Sequence, residues 1–488
     1  MPLSKFHCTE CRGRLITAPD GGLACEHCAT PVPVEDGILD FVQGRAGTIL
    51  DPGEYDAFHG IDAARSNALY REIQQLAGGQ WPASLGSVLE VGCGTGLLSR
   101  ALISHGDVRD LVLTDVSTAM LRTCRDHLHQ SDLLNRVPLT FATHSATEPC
   151  FQDVVFDTCA GGSVLHHIPD VRGFLASMFR WLKPGGRAFF MEPNLRHHRA
   201  LAQTLADILA LLYTRDQTYS DSRQKLLNLI SQWRRGILHQ GDVGFLTTLE
   251  DKHMFAGDAF EEMGRELGFA TAVAIPTASD PSGTSIVAGL CGQLGIDDSV
   301  RTEVLGLLPA YRGRYLSLLP PRDQSSSFLL WLEKGTGPAV RSFRAPPPPA
   351  PPPPADTPIE HLQGGLPPHW SLDLTASAGP TGILLVLDGW CLLNTDVKWV
   401  RITLGTVTRD APVWMPRPDV HAALASVGLH ASWNSLCCGV RETLSFEGVT
   451  AENSELSLKV AIVLASGAAL DTAAAPSLHL HETLTVRR

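Results

Sequence analysis

The stretch Val88-Leu89-Glu90-Val91-Gly92-Cys93-Gly94-Thr95-Gly96 decides the fold of the first half of this 488-residue chain. Val88–Val91 is apolar apart from Glu90, the pattern of a short strand buried on both faces. Gly92, Gly94 and Gly96 then make a tight turn into a helix starting near Leu97. Glycine is required there because the chain turns sharply and its backbone must approach a ligand with no Cβ in the way. Alone, such a turn announces a nucleotide-like ligand and nothing finer, since dinucleotide-binding chains carry one too.

On both sides of the turn, short apolar runs alternate with helix-like segments: Ser87–Val91, Asp110–Thr114, Leu139–Ala142, Phe156–Ala160 and Gly186–Met191. Strands regularly separated by helices predict a parallel sheet covered on both faces. Three details separate this turn from a dinucleotide site. An acid, Glu90, stands two residues before the first glycine, and the spacing is Glu-x-Gly-x-Gly-x-Gly rather than Gly-x-Gly-x-x-Gly. The second strand ends in Leu113-Thr114-Asp115, which puts a carboxylate where ribose hydroxyls need an acceptor. Phe156-Asp157 opens a strand followed by Val164-Leu165-His166-His167-Ile168-Pro169-Asp170, and later by Trp181-Leu182-Lys183-Pro184-Gly185-Gly186.

As a set and in this order, residues 65–195 closely resemble the class I S-adenosylmethionine-dependent methyltransferases. The resemblance implies an α/β, Rossmann-like, seven-stranded sheet with one antiparallel strand, binding its cofactor at the carboxyl ends of the strands. It also implies that Glu90, Gly92, Gly94 and Gly96 hold the methionine portion, that Asp115 meets the ribose, and that Ser117 to Met120 lie beside the adenine, with Cys93 and Val116 counted among the cofactor-binding residues. One position departs from the family pattern. An aspartate usually follows the third strand and accepts from the adenine amino group; here the stretch is Ala142-Thr143-His144-Ser145-Ala146-Thr147, with Ser145 in its place. A serine hydroxyl accepts that hydrogen bond without charge assistance.

A transferred methyl needs a positioned nucleophile, and a hydroxyl nucleophile needs a general base. His166 and His167 follow the fourth strand, where the resemblance places the methyl group, and imidazole has the intrinsic pKa for the role. His253, in Leu249-Glu250-Asp251-Lys252-His253-Met254-Phe255, is a third candidate on a segment that fits a lid over an acceptor pocket; Glu250 and Asp251 can bind hydroxyls there. Glu192, after the fifth strand, is a further pocket-lining acid. The bland alternatives are packing or helix-start histidines and a solvated turn.

Cys8-x2-Cys11 and Cys25-x2-Cys28 are separated by thirteen residues. Two such knuckles present four thiolates, the donor set of a closed tetrahedral zinc site, so the predicted metal is structural. So small a segment depends on the metal for its folding free energy. His7 and His27 are surplus to the ligand count and are expected on the surface. The other eight cysteines are scattered, as buried thiols are.

The expected domains are a zinc ribbon over 1–44, a methyltransferase domain over 45–340 with helical insertions at about 196–244 and 283–320, a proline-rich linker over 341–357, and an all-β sandwich over 358–488. Ala345–Ala355 holds eight prolines among three alanines, a polyproline helix and semi-rigid spacer of about 3.1 Å per residue. Beyond it, Ile383–Leu387, Val397–Leu404, Arg441–Phe446 and Glu455–Leu464 are strand-like runs broken by turn residues. Asp388-Gly389-Trp390 with Met415-Pro416-Arg417-Pro418-Asp419-Val420 resembles the Gly-Trp and Arg-Pro-Asp-Val signatures of accessory β-sandwiches found beside glycan-modifying enzymes, although the usual closing Gly-Phe is Gly439-Val440 here. This region is where a protein or glycan contact is expected. Trp390, Trp399, Trp414 and Trp433 are read mainly as packing residues, with sugar stacking as the alternative.

The net charge of −12 gives no global attraction to phosphate backbones. A zinc ribbon beside such a domain also resembles ribosomal RNA guanine methyltransferases. Here, however, Lys5, Arg12 and Arg14 face Glu10, Asp20, Glu26, Glu35, Asp36 and Asp40, so the basic surface of an RNA clamp is missing. The chain shows neither an apolar secretory core after Met1 nor an apolar run of membrane-spanning length, and a cytoplasmic protein is expected. The leading expectation is S-adenosylmethionine-dependent methylation, at oxygen, of a small-molecule, glycan or lipid-like acceptor. The alternatives are an rRNA or tRNA base methyltransferase and a non-catalytic scaffold that keeps the fold.

Overall fold

The computed structural model describes residues 3–18, 22–43, 51–59, 62–146, 148, 150–215, 220–238, 253–277, 283–336, 369–379, 381–392, 397–421, 438–450, 455–472, 477–479 and 483–487. The proline-rich run, Glu250, Asp251 and Trp433 lie outside them. The chain forms two compact units: Met1–His197 with Val243–Ser279 and Pro320–Arg344, and His198–Asp242 with Asp280–Leu319 and Ala345–Arg488.

The first unit begins with β1 (Leu15–Thr17), β2 (Leu23–Cys25) and β3 (Pro31–Val32), a three-stranded antiparallel sheet, and continues with the hairpin β4 (Val34–Glu35) and β5 (Ile38–Asp40). After helices α1 (Pro52–His59) and α2 (Ala63–Ala77) come β6 (Gly86–Val91), α3 (Leu97–His105), β7 (Val108–Asp115), α4 (Thr118–Gln130), β8 (Leu139–Thr143), β9 (Phe156–Gly162), α5 (Val171–Trp181) and β10 (Leu182–Pro193). Helices α6 (Leu195–Arg215) and α7 (Asp221–Leu238) intervene before α8 (Gly257–Glu266) and β11 (Thr271–Pro276); α9 (Thr284–Gln293) and α10 (Asp298–Tyr311) precede β12 (Ser327–Glu333).

The main sheet runs β11-β12-β10-β9-β6-β7-β8-β5-β4. Strands β10, β9, β6, β7, β8 and β5 are parallel neighbours, and β12 is antiparallel to both β10 and β11. Val88, Leu89, Leu111, Leu113 and Cys159 are fully buried, as central strands covered by helices must be. Side-chain caps fix the helix starts: Ser117 accepts from the Met120 amide at α4, and Asp170 from the Gly173 amide at α5.

Two expectations are corrected here. Among the described residues the sheet has nine strands rather than seven, because Ile38–Asp40 pairs in parallel with Phe141–Thr143 and brings β4 with it. Within residues 1–44, β1–β3 keep a sheet of their own, whereas Val34–Glu35 and Ile38–Asp40 belong to the main sheet. Phe6 stacks on Phe41 at 5.3 Å and lies 5.4 Å from Phe151, the His7 amide donates to Cys150 O, and the buried Lys5 ammonium binds Ser87 and Asp110 at the starts of β6 and β7. His7, expected on the surface, is buried, and its Nδ1 donates to Cys8 O. A lone sequence pattern cannot reveal this, because the partners lie far from one another along the chain.

The second unit differs from the expected division as well, since the inserted helices group with the C-terminal strands. Arg234 donates to Val413 O at 2.8 Å, and Arg235 lies over the Trp414 ring at 4.4 Å. The strands are β13 (His369–Ala378), β14 (Gly382–Leu392), β15 (Val397–Leu404), β16 (Val407–Pro412), β17 (Gly439–Glu447), β18 (Glu455–Leu464), β19 (Ala469–Asp471), β20 (Ser477–His479) and β21 (Thr483–Arg487). They form an antiparallel sheet β17-β14-β13-β21 and a second, β16-β15-β18-β19, with β20 also paired to β18. Alternate residues of both sheets, such as Leu372, Leu374, Leu385, Leu387, Val400, Ile402, Leu458 and Val460, share one core, which makes a sandwich.

Candidate functional site

The carboxyl ends of β6, β7, β8, β9 and β10 meet at the glycine-rich turn. Gly92, Gly94 and Gly96 have φ of 62°, 51° and 102°. A Cβ on Gly92 would lie 2.3 Å from Val164 Cγ2, so this turn and the segment after β9 touch only because residue 92 is glycine. Cys93 is buried below the turn.

Glu90 is buried at the end of β6. Ser99 bonds one side of its carboxyl, while Oε2 has no hydrogen-bond partner among the described residues, and burial pushes its pKa up to about 8. An orphaned buried carboxylate oxygen beside three left-handed glycines fits a cationic group held against the turn. Thr95 Oγ1, in the same turn, is also buried and unsatisfied.

Asp115 ends β7. Its Oδ2 accepts from the Gly94 amide at 3.0 Å and its Oδ1 from the Ser117 amide at 2.9 Å, which fixes both oxygens. Burial raises its pKa. Val116 is half-buried; Met120 is buried on α4, where the Ser117 hydroxyl is occupied as the cap. Ser145 follows β8 one residue after His144, whose amide donates to Asp115 O at 2.9 Å, so β7 and β8 carry these two residues side by side.

Three features carry no signal in the sequence. Tyr55 on α1 reaches the turn, since a Cβ on Gly94 would lie 3.5 Å from its hydroxyl, and its pKa rises through burial and the neighbouring Asp115. Asp56 on the same helix pairs with His127 Nε2 on α4 at 3.2 Å. His144 is buried within 4.9 Å of the Phe151 ring and 5.7 Å of Trp181, with an unsatisfied Nε2; burial pushes its pKa down to about 3, so it is neutral.

The three candidate histidines come together. Leu165–His167 is a 3-10 turn after β9. Glu192, fully buried near the end of β10, accepts from the Val164 amide at 3.0 Å and the Leu165 amide at 2.8 Å through Oε1, and from His166 Nδ1 at 2.8 Å through Oε2. In a neutral ring with Nδ1 donating to the carboxylate, the basic lone pair is on Nε2. The rings of His166 and His167 lie 4.0 Å apart. The His253 amide donates to His166 O at 3.1 Å, and its Nε2 donates to Pro169 O at 3.0 Å. His253 therefore braces the turn through Nε2, and in a neutral ring so arranged the basic lone pair is on Nδ1. Glu192, read from sequence as a pocket-lining acid, instead orients His166.

The four cysteine sulfurs lie within 4.8 Å of one another, with Cys8–Cys28, Cys11–Cys25 and Cys11–Cys28 at 3.5, 3.4 and 3.3 Å. Sulfurs about 2.3 Å from one zinc would stand about 3.8 Å apart, so the cluster is compatible with a zinc site. The Gly13 and His27 amides each donate to a sulfur, Cys11 and Cys25, at 3.4 Å. A Cβ on Gly13 would lie 2.7 Å from Cys25 Sγ.

Residues 89–190 match the methyltransferase domain family. The same region is similar to proteins named ubiquinone biosynthesis O-methyltransferase. That of Photorhabdus laumondii subsp. laumondii is 32% identical over 168 residues, which is 34% of this chain and 65% of the relative. That of Pectobacterium carotovorum subsp. carotovorum is 30% identical over 143 residues, 29% of this chain and 54% of the relative. The chain thus spans little more than half the length of these relatives. Among solved structures, the phosphoethanolamine N-methyltransferase 2 of Haemonchus contortus aligns over 63% of this chain and 62% of its own at 17% identity, with a TM-score of 0.38. The glycine-rich turn and the His166 turn both fall within the matched methyltransferase domain. No described helix is long and apolar enough to cross a membrane.

Proposed function

We propose that this chain is an S-adenosylmethionine-dependent methyltransferase that methylates an oxygen of a small acceptor. The observation that carries this reading is the juxtaposition of two buried carboxylates: Glu90 with an orphaned oxygen at the glycine-rich turn, and Glu192 orienting His166 on the segment that touches Gly92. S-adenosylmethionine, when bound, supplies an electrophilic methyl group on a sulfonium. Glu90 and the Gly92–Gly96 backbone would hold its methionine portion, Asp115 its ribose, and Ser145 its adenine. Glu192 keeps the Nδ1 proton of His166, so Nε2 can accept the proton of an acceptor hydroxyl. The names of the similar proteins support oxygen as the methylated atom.

We infer further that Cys8, Cys11, Cys25 and Cys28 hold a structural zinc ion, with all four ligands supplied by protein and no open position for chemistry. Thiolate ligands of this kind suit a reducing, cytoplasmic setting.

Two measurements test the reading. Calorimetry should show S-adenosylmethionine binding in the micromolar range, and a labelled methyl donor should mark a phenolic or sugar hydroxyl in a panel of catechol, caffeate, methyl glycosides, phosphoethanolamine and total RNA. Absence of binding at near-millimolar cofactor, or label confined to the amine or to RNA, overturns it.

A further inference from the structure

The outer face of the sheet β17-β14-β13 collects polar residues that methyl transfer does not use. Arg441, Asp388 and Asp373 are cross-strand partners in one row, and Gly439, Trp390 and Ser371 form the next row. Residues two apart on a strand share a face, so both rows point the same way. Between them, Val440 and Leu372 point into the sandwich core.

The segment after β16 closes one side. Met415 and Gly439 exchange backbone hydrogen bonds at 2.9 and 3.0 Å, and Arg417 Nη1 donates to Gly389 O at 3.2 Å. This approach needs two residues without side chains. A Cβ on Gly439 would lie 2.8 Å from Arg417 Cγ, and one on Gly389 would lie 2.1 Å from Ser371 O. The Gly-Trp and Arg-Pro-Asp motifs, distant in sequence, therefore wall one cavity of about 490 Å³.

Its chemistry is specific. Asp419 holds the Arg417 guanidinium at 2.7 and 2.9 Å, and Asp388 holds Arg441 at 2.7 and 3.0 Å, so both planar groups are oriented beforehand. The two arginines are outnumbered by Asp373, Asp388 and Asp419, a balance that disfavours phosphate and carboxylate ligands. Covering four paired charges with hydrocarbon would cost their hydration, which disfavours an apolar ligand. The half-buried Trp390 indole adds a flat apolar face. A neutral ring with many hydroxyls and one C–H face satisfies all three conditions, and the volume falls in the range of small-ligand sites.

We propose that this cavity binds a neutral saccharide, with Trp390 against a sugar ring and the Arg441–Asp388 and Arg417–Asp419 pairs meeting its hydroxyls. The site is independent of the transferase reading, and its test does not involve methyl transfer. The full-length protein is applied to an array of neutral and acidic glycans, and a neutral hit is titrated by saturation-transfer NMR. The expected result is binding to neutral glycans, weakened about tenfold or more by Trp390→Ala and measurably by Asp373→Asn, with the melting temperature of Asp373→Asn unchanged. A silent array, binding confined to acidic glycans, displacement by inorganic phosphate, or full affinity in Trp390→Ala overturns the proposal. Should Trp390→Ala fail to fold, Arg441→Gln on the exposed strand takes its place, and full affinity there is equally contrary.

Discussion

Two carboxylates lie buried at the carboxyl edge of the main sheet, Glu192 with three donors around it and Glu90 with an oxygen that has none. Their partners predict opposite behaviour. Glu192 is committed to the His166 turn, so removing the ring should cost turnover and leave cofactor affinity alone. His166→Ala is expected to lower turnover by about a hundredfold or more, and Glu192→Gln by less, with S-adenosylmethionine affinity within about twofold of the parent by calorimetry. Unchanged turnover in both variants would remove His166 from the mechanism. Glu90 is a pH device instead. Its pKa stands at about 8 in the fold against an ordinary 4.5, because burial disfavours the charged form. Its contribution to stability is therefore intact below about 4.5 and is lost as pH rises through about 8, by at most about 1.4 kcal/mol per pH unit. Thermal melts of the ligand-free protein between pH 5 and 9 should show this fall, and Glu90→Gln should flatten it in part, since the raised Asp115 carboxyl titrates in the same sense. An identical slope in the variant contradicts the assignment.

The two cysteine knuckles illustrate how an element is set by conformations that composition hides. In both, the residue after the second cysteine is left-handed, Arg12 and Ala29 each at φ 59°, and its amide donates to the carbonyl of the first cysteine, Cys8 or Cys25. A left-handed L-residue costs about 1–2 kcal/mol, and glycine relieves it at some cost in unfolded-chain entropy. Ala29→Gly should thus raise stability by up to about 1 kcal/mol in denaturant melts. Gly13→Ala pushes a methyl into Cys25 Sγ and should lower zinc content, measured by metal analysis after dialysis. Equal zinc in Gly13→Ala and the parent would show that the cluster is looser than its sulfur spacing indicates. At this scale the sequence is legible: glycine spacing and paired cysteines act through neighbours a few residues away.

For the whole molecule, the fusion of the N-terminal segment to the sheet predicts that metal and fold are coupled. β5 lies beside β8, the Val42 amide donates to the Thr143 hydroxyl, and Phe6, Phe41 and Phe151 share one core with β9 and α5. Removing the proposed zinc with a chelator should lower the main melting transition and speed hydrogen exchange in Leu139–Thr143; exchange unchanged there would show an independent ribbon. The sequence alone determined the order of strands and helices around Gly92–Gly96 and the pairing of four cysteines that cluster in the fold. These rest on periodicity, turn chemistry and the fixed reach of a short loop, all local in the chain. Only the tertiary structure decided that β5 extends the sheet, that Glu192 orients His166, that Tyr55 covers the turn, and that the Gly389 and Arg417 motifs wall one cavity. Each of these joins residues far apart in sequence, and such contacts are fixed by the packing of whole elements, which no single local pattern encodes.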